Sequence, residues 1–272
     1  MKDCFYCPIC NKDINLIKWT SNDCKTISSS LCKTCDIVFA DKILDDSEYV
    51  NFYNKYNNNR DIENKELANK RNICYENDLK FINKNCNNFT NILDIGCGNG
   101  IFLSKLIGKN KTGYDIDTNI IKENNLKYPN INFINNLIIN NNEKFDLIIF
   151  RGTFPYMRDL NYITTFIDKF LKKNGYLIIL SLPNKNSPLA EIQRENWSLY
   201  NPIEMLNIFS LISIKKLFSN YSVIDTEFPY LDTPYADEKN DIINFRELIT
   251  NNKQSKFPFW GSMIQIIFQK KI

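Results

Sequence analysis

The feature that most constrains this chain is a glycine-rich turn between an apolar run and a helical segment. Asn91-Ile92-Leu93-Asp94-Ile95 leads into Gly96-Cys97-Gly98-Asn99-Gly100, and Ile101 to Ile107 follows. Three alternating glycines lack Cβ atoms, so the backbone can turn sharply and approach a ligand closely. The helix after them offers unpaired N–H groups and the positive end of its dipole to a carboxylate or phosphate. The spacing is G-x-G-x-G. It is neither the dinucleotide pattern G-x-G-x-x-G nor the phosphate-loop pattern G-x-x-x-x-G-K-S/T, which disfavours pyrophosphate binding and a P-loop NTPase. Nineteen residues beyond Gly96, at the end of the next apolar run, stands Asp115 in Gly113-Tyr114-Asp115-Ile116-Asp117. An acid there can accept two hydrogen bonds from a ribose diol, each charge-assisted bond contributing roughly 1.5–3 kcal/mol.

The alternation of strand and helix continues downstream. Thr112 to Ile116 and Ile131 to Ile134 read as strands around a helix at Asn119 to Lys127. Phe145 to Phe150 is a nearly continuous apolar run, as expected of a strand buried on both faces. Leu160 to Lys173 has helical periodicity and is expected to stop at Asn174-Gly175. Tyr176 to Leu182 is the next buried strand; a helix near Ile212 to Phe218 and strands at Tyr221 to Phe228 and Met263 to Phe268 follow. Upstream, Asp61 to Asn83 reads as a helix with Leu67, Ile73, Leu79 and Ile82 on one face. Repeated β-α units of this kind require right-handed crossovers and a doubly wound, mostly parallel α/β sheet.

Cysteine is distributed unevenly. Six of the nine fall in the first 35 residues, and four form two Cys-x-x-Cys pairs, Cys7-Pro8-Ile9-Cys10 and Cys32-Lys33-Thr34-Cys35. The 21 residues between the pairs suit a zinc ribbon, in which two tight knuckles place four thiolates around one tetrahedral ion. Each knuckle needs a residue with positive φ after its second cysteine, and Asn11 and Asp36 stand there. A redox dithiol and a structural coincidence are the rival readings; Cys4 and Cys24 are spare candidates, and Cys4 could replace Cys7 in the first knuckle. Four thiolates leave no open coordination position, so the zinc is expected to be structural. Asp45-Asp46-Ser47-Glu48 opens a helix that runs toward Tyr56, and Asn57 to Arg60 is the expected boundary. Residues 1–56 then form a zinc-ribbon module with its connecting helix. Residues 57–272 form the main domain, with insertions around 183–210 and 229–261.

The chain contains no histidine, which removes Ser-His-Asp triads, Cys-His pairs and histidine metal sites. Its net charge of +3 over 272 residues, without a dense basic run, argues against a dedicated nucleic-acid binder. No apolar run approaches the roughly 18–20 residues that span a bilayer. The opening Met1-Lys2-Asp3-Cys4 lacks the apolar core of a signal peptide, so a cytoplasmic protein is expected.

Leu93-Asp94-Ile95-Gly96-Cys97-Gly98-Asn99-Gly100, followed by Gly113-Tyr114-Asp115-Ile116-Asp117, resembles the first two motifs of class I S-adenosylmethionine-dependent methyltransferases. The resemblance covers roughly residues 60–270. It implies a seven-stranded sheet whose last strand, Met263 to Phe268, inserts antiparallel. It implies that Asp94, Gly96, Cys97, Gly98, Asn99 and Gly100 surround the methionine part of the cofactor, and that Asp115 with Ile116 holds the ribose. Relatives place Gly-Asp near the adenine amino group; here the pair is Asn135-Asn136, so Asn136 is the expected contact. Arg151, after the fourth strand, is counted with the cofactor-binding residues. The cysteine segment resembles a rubredoxin-like zinc module found before methyltransferase domains that act on sugars and other small metabolites. By that resemblance the module covers the substrate cleft, and Tyr53 or Tyr56 approaches the cofactor.

After the fourth strand comes Arg151-Gly152-Thr153-Phe154-Pro155-Tyr156, where relatives carry Arg-Gly-x-x-x-His. Tyr156 takes the histidine's place and is the candidate for orienting the nucleophile. The strand end is not Asn/Asp-Pro-Pro-Tyr/Phe, which argues against methylation of an adenine amine. Trp197, Tyr200, the segment from Phe228 to Asp237 and Phe257-Pro258-Phe259-Trp260 offer aromatic walls for an acceptor. The expected function is methylation of a small molecule, a sugar, nucleotide sugar or glycan precursor, with oxygen favoured over carbon or nitrogen. Two alternatives stand: an RNA methyltransferase that uses the ribbon for binding, and a zinc-stabilised binding protein without activity.

Overall fold

The computed structural model describes residues 2–4, 6–12, 17–19, 28–45, 47–49, 52, 65–197, 199–251 and 259–271. Among the described residues, the N-terminal segment carries five short strands: β1 (Lys2–Asp3), β2 (Ile17–Trp19), β3 (Ser29–Cys32), β4 (Ile37–Ala40) and β5 (Lys42–Ile43). β1 pairs antiparallel with β5, while β2, β3 and β4 form an antiparallel meander. Cys24, Tyr53 and Tyr56 lie outside the described residues.

The main domain follows with helices and strands alternating up to β8, after which β9 comes without an intervening helix: α1 (Lys65–Asn85), β6 (Asn91–Ile95), α2 (Ile101–Lys105), β7 (Asn110–Tyr114), α3 (Thr118–Lys127), β8 (Asn132–Ile134) and β9 (Phe145–Arg151). It continues with α4 (Leu160–Phe170), β10 (Leu171–Pro183), α5 (Pro188–Gln193), β11 (Asn207–Ile208), α6 (Leu211–Leu217), β12 (Tyr221–Glu227), α7 (Glu238–Asn251) and β13 (Met263–Lys270). The sheet has seven strands in the order β12-β13-β10-β9-β6-β7-β8. β8, β7, β6, β9 and β10 run parallel, and β13 enters antiparallel between β10 and β12. This is the doubly wound architecture that the β-α rhythm and the resemblance imply.

Side chains alternate across the sheet with period two. Leu93, Ile148, Phe150 and Ile179 pack toward α4 and α6, in a core that also receives Cys7, Cys32, Cys35, Ile37 and Phe39 of the N-terminal segment. Ile92, Leu147, Ile149 and Ile178 pack on the other face, under Phe81, Ile82, Phe102, Leu103 and Ile121 of α1, α2 and α3. The insertion after β10 ties the two parts together. Its strand β11 pairs antiparallel with β4, Asn207 opposite Phe39 and Ile208 opposite Val38, and completes a four-stranded sheet with the meander.

Two elements differ from expectation. The helix expected to reach Lys173 ends at Phe170, and Leu171 already pairs with Phe145 as part of β10. Asn174-Gly175 is therefore a bulge in the strand rather than a helix stop. Asn174 has φ 60°, and a Cβ on Gly175 would stand 2.9 Å from the Lys172 carbonyl oxygen. On α1 the expected face also changes. Leu67 and Ile73 are exposed, and the buried positions are Asp78, Phe81 and Ile82. Only the C-terminal half of α1 lies on the sheet, because its N-terminal half borders an open cavity at the sheet's end.

Candidate active site

The carboxyl ends of β6, β7 and β9 meet where chain order reverses, β6 leading to β7 on one side and flanked by β9 on the other. In open α/β sheets such a switch point leaves a crevice. Here it opens into a cavity of about 1020 Å³. Asp94, Gly96, Cys97, Gly98, Asn99, Asp115, Ile116, Arg151 and Tyr156 all line it. Gly100 is buried outside the lining, as the N-cap of α2. Asn136 is exposed and also stands outside it; its neighbour Leu137 lines the cavity instead.

The glycine turn is held from several sides. Gly96 N and Cys97 N both donate to the Tyr114 carbonyl, at 2.7 and 2.9 Å. Thr153 Oγ1 donates to the Ile95 carbonyl at 2.7 Å. A Cβ on Gly96 (φ 79°) would lie 2.2 Å from Thr153 Cγ2, so only glycine lets the loop after β9 close on the turn. Gly98 (φ 50°) is the converse: a Cβ there would meet nothing within 4 Å, because the position faces open space. Asp115 is locked in place, its Oδ2 accepting from Gly98 N at 2.9 Å and its Oδ1 from Asp117 N at 3.0 Å. Asp117 in turn caps α3, accepting from Asn119 N and Ile120 N.

Asp94 differs from Asp115. It is 1% exposed, and its Oδ1 has no hydrogen-bond partner. Burial pushes its pKa up to about 7, the nearby Arg151 pulling down and Asp115 pushing further up. Such a carboxylate needs a cationic or hydrogen-bond-donating ligand to be comfortable as an anion. Arg151 donates from Nε to Asp78 Oδ2 at 2.7 Å and lies 4.3 Å from the ring centroid of Tyr75. Asp78 was not legible as a site residue. Its signal was the α1 stripe Arg71, Tyr75 and Asp78, spaced four and three apart on one helix face, of which Arg71 and Tyr75 line the cavity.

The opposite end of the cavity is built by the loop after β9 and by the N-terminal segment. Tyr49, Tyr156, Met157, Arg158, Tyr162 and Glu204 line it. The Tyr49 hydroxyl donates to the Tyr156 carbonyl at 3.4 Å. Arg158 donates from Nη2 to the Leu44 carbonyl at 2.8 Å and sits 5.0 Å from the Tyr49 ring centroid. Asn207 of β11 donates to the Met157 carbonyl at 2.8 Å. Trp197 and Tyr200, expected as pocket walls, are instead buried against Val38, Leu189 and Ile208, where they glue the insertion to β4. Phe228, Phe259 and Trp260 stand outside the lining as well, and Phe257 and Pro258 lie outside the described residues.

The knuckles bring the Sγ atoms of Cys7, Cys10, Cys32 and Cys35 within 4.8 Å of one another, with Cys10 and Cys32 3.9 Å apart. A zinc ion with Zn–S bonds of 2.3 Å needs sulfurs about 3.8 Å apart, so the donor set fits. Asn11 (φ 54°) and Asp36 (φ 58°) adopt the left-handed conformation, donating from N to the Cys7 and Cys32 carbonyls. Cys4 is not part of this group.

Comparison with known proteins agrees with the geometry. A family model described as a methyltransferase domain matches residues 64–222. The chain belongs to this family and is a class I S-adenosylmethionine-dependent methyltransferase in fold and family. It is 32% identical over 148 residues to malonyl-acyl-carrier-protein O-methyltransferase 2 of Ilyobacter polytropus, covering 50% of this chain and 56% of the relative. It is 30% identical over 119 residues to the malonyl-acyl-carrier-protein O-methyltransferase of Calditerrivibrio nitroreducens, covering 43% of this chain and 47% of the relative. The chain thus spans about half the length of the curated relatives it matches. A solved complex of the Haloferax volcanii Trm112 methyltransferase activator with a putative methyltransferase shares the fold at a TM-score of 0.51 and 13% identity, over 67% of this chain and 83% of that one. No helix among the described residues is long and apolar enough to cross a membrane.

Proposed function

We propose that the protein transfers a methyl group from S-adenosylmethionine to a small polar acceptor, with oxygen as the favoured target. The observation that carries this reading is the unpartnered, buried Asp94 in one cavity with the locked Asp115 and the open position of Gly98. Asp94 offers a charge to the amino-acid end of the donor, and Asp115 offers two oxygens to its ribose. Asp117 keeps Asp115 oriented, and Asn124 fixes the turn by donating to the Gly98 carbonyl at 2.7 Å.

When bound, the donor supplies an electrophilic methyl group on a sulfonium sulfur. In-line displacement asks the protein for positioning and for a path for the acceptor's proton. Tyr156 and Tyr49 orient the acceptor, and Glu204 or solvent takes its proton, as the chain holds no histidine for that task. Zinc held by Cys7, Cys10, Cys32 and Cys35 has no open position and serves the architecture.

Tyrosine walls from Tyr49, Tyr156 and Tyr162 support a hydroxylated, sugar-linked acceptor. A second reading, methylation of a carboxylate, is supported by Arg158 on the same wall and by the likeness to two malonyl-acyl-carrier-protein O-methyltransferases. Thermal-shift measurement with S-adenosylmethionine is the first test: stabilisation that Asp115→Ala largely removes supports the donor reading, and no shift overturns it. Transfer of labelled methyl groups to panels of nucleotide sugars, acyl-thioester carboxylates and RNA then separates the acceptor classes.

A further inference from the structure

Arg151 is fixed before any ligand arrives. Its Nε donates to Asp78 Oδ2 at 2.7 Å, and its guanidinium sits 4.3 and 5.5 Å from the ring centroids of Tyr75 and Phe102. Asp78 is the one hydrogen-bond acceptor of Arg151 among the described residues. An arginine carries five N–H donors, so most remain on a side chain that lines the cavity. The pair is deeply placed, the side chains being 19% and 7% exposed. Buried ion pairs are weak stabilisers, and apolar replacements of similar volume are often neutral or better. A use other than stability explains the pair more directly.

The amino-acid end of the methyl donor is a zwitterion, and the glycine-turn end of the cavity offers its complement. One carboxylate oxygen there, Asp94 Oδ1, lacks a hydrogen-bond partner; Arg71 and Arg151 both line the cavity, and Arg151 is the one whose charge acts on the Asp94 carboxyl. We propose that Asp78 is a positioning residue that holds Arg151 in place to receive the carboxylate of the donor's amino-acid end, with Asp94 facing the ammonium. The proposal rests on the donor reading above and adds to it the residue that shapes recognition of the amino-acid part. Electrostatics are consistent with the layout: Arg151 draws down the pKa of both Asp78 and Asp94, while burial pushes both up.

S-adenosylhomocysteine carries the amino-acid part, and 5′-methylthioadenosine lacks it. Isothermal titration of the full chain with both ligands therefore isolates the contribution of this end. Asp78→Asn is expected to weaken S-adenosylhomocysteine binding about tenfold while 5′-methylthioadenosine stays within about twofold. Arg151→Met is expected to cost at least as much, again for S-adenosylhomocysteine alone. The double variant Asp78→Leu/Arg151→Met removes both buried charges together. It is expected to fold, keep 5′-methylthioadenosine binding and match Arg151→Met for the larger ligand. Equal losses for both ligands would mean a merely structural pair and overturn the proposal, as would unchanged S-adenosylhomocysteine affinity in Arg151→Met. A wild-type chain that binds neither ligand overturns the donor reading itself.

Discussion

Asp94 is the residue at which this fold works against its own stability. In the unfolded chain a carboxyl group titrates near 4, whereas burial raises the folded value to about 7. The native state therefore keeps a proton that the unfolded state releases between these values. The contribution to stability is full below pH 4, falls as pH rises toward 7, and stays low above it. The shift corresponds to a penalty on the order of 4 kcal/mol at pH 8 for a buried carboxylate whose Oδ1 has no hydrogen-bond partner. Asp94→Asn is expected to stabilise the free protein at pH 8 but not at pH 4, read from urea midpoints at both values. The same substitution should remove the pH dependence of ligand binding. Wild-type affinity for S-adenosylhomocysteine is expected to rise from pH 5 to 7, because its ammonium favours the ionised acid. A pH slope that survives in Asp94→Asn would contradict this assignment. The sequence sets Asp94 just before the glycine turn, and the family resemblance implies its place beside the cofactor. Its missing partner was not legible, because that depends on how β7 and β9 bring Asp115 and Arg151 around it.

The second knuckle and the segment after β10 form the joint between the two parts. Lys185, with a side chain only 8% exposed, pairs with Asp36 Oδ1 at 2.8 Å, and Asn186 donates to Asp36 Oδ2 at the same distance. Lys216 of α6 donates to the Thr34 carbonyl inside the knuckle. Burial works against ionised Asp36, but Lys185, Ser210 and Asn186 outweigh it and hold its pKa below the usual carboxylate value. That stabilisation is present above about pH 4 and disappears as pH falls through the lower folded value. Lys185→Met leaves Asp36 without its cation and is expected to cost about 2–4 kcal/mol at pH 7, while Lys185→Met/Asp36→Asn costs less. Thermal unfolding with parallel zinc analysis checks both, and the metal content is expected to stay unchanged, since all four cysteines remain. Asp36 was readable as the residue after a knuckle because its positive φ follows from Cys-x-x-Cys geometry. Its partner lies some 150 positions along the chain, and no local pattern joins the two. The same reason explains α4. Leu160 to Lys173 reads as one helical run, yet strand pairing of Leu171 with Phe145 overrides local propensity.

At the scale of the whole molecule, the two ends of the cavity come from different parts of the chain. The donor end is made by α1, β6, β7 and the end of β9, all inside the region that the methyltransferase-domain model matches. The opposite end depends on the N-terminal segment. Tyr49 lines it, Arg158 is tied to the Leu44 carbonyl, and β4 supports β11, whose Asn207 holds Met157. The glycine turn and Asp115 of the donor end were therefore legible from two short runs close in sequence, 93–100 and 113–117, while Asp78 was not. The other end was not, because it is assembled across the chain from a tyrosine, an arginine and a paired strand with no common spacing. This division predicts how loss of metal should act. In Cys32→Ser/Cys35→Ser the metal site loses two of its four thiolates, and zinc is expected to fall from about one per chain to none. Cys32, Cys35, Ile37 and Phe39 share the main core, so the variant is expected to melt at lower temperature. Its affinity for S-adenosylhomocysteine should nevertheless stay within about threefold of wild type at 10 °C, well below the transition, because the hydrogen bonds that hold the glycine turn and Asp115 come from β7, the loop after β9 and the turn itself rather than from the knuckles. Methyl transfer to the identified acceptor should fall much further, with the loss in kcat/KM for the acceptor. Titration calorimetry beside acceptor kinetics separates the two effects. A parallel loss of donor affinity would show that the N-terminal segment shapes the whole cavity, and the division of labour argued here would be wrong.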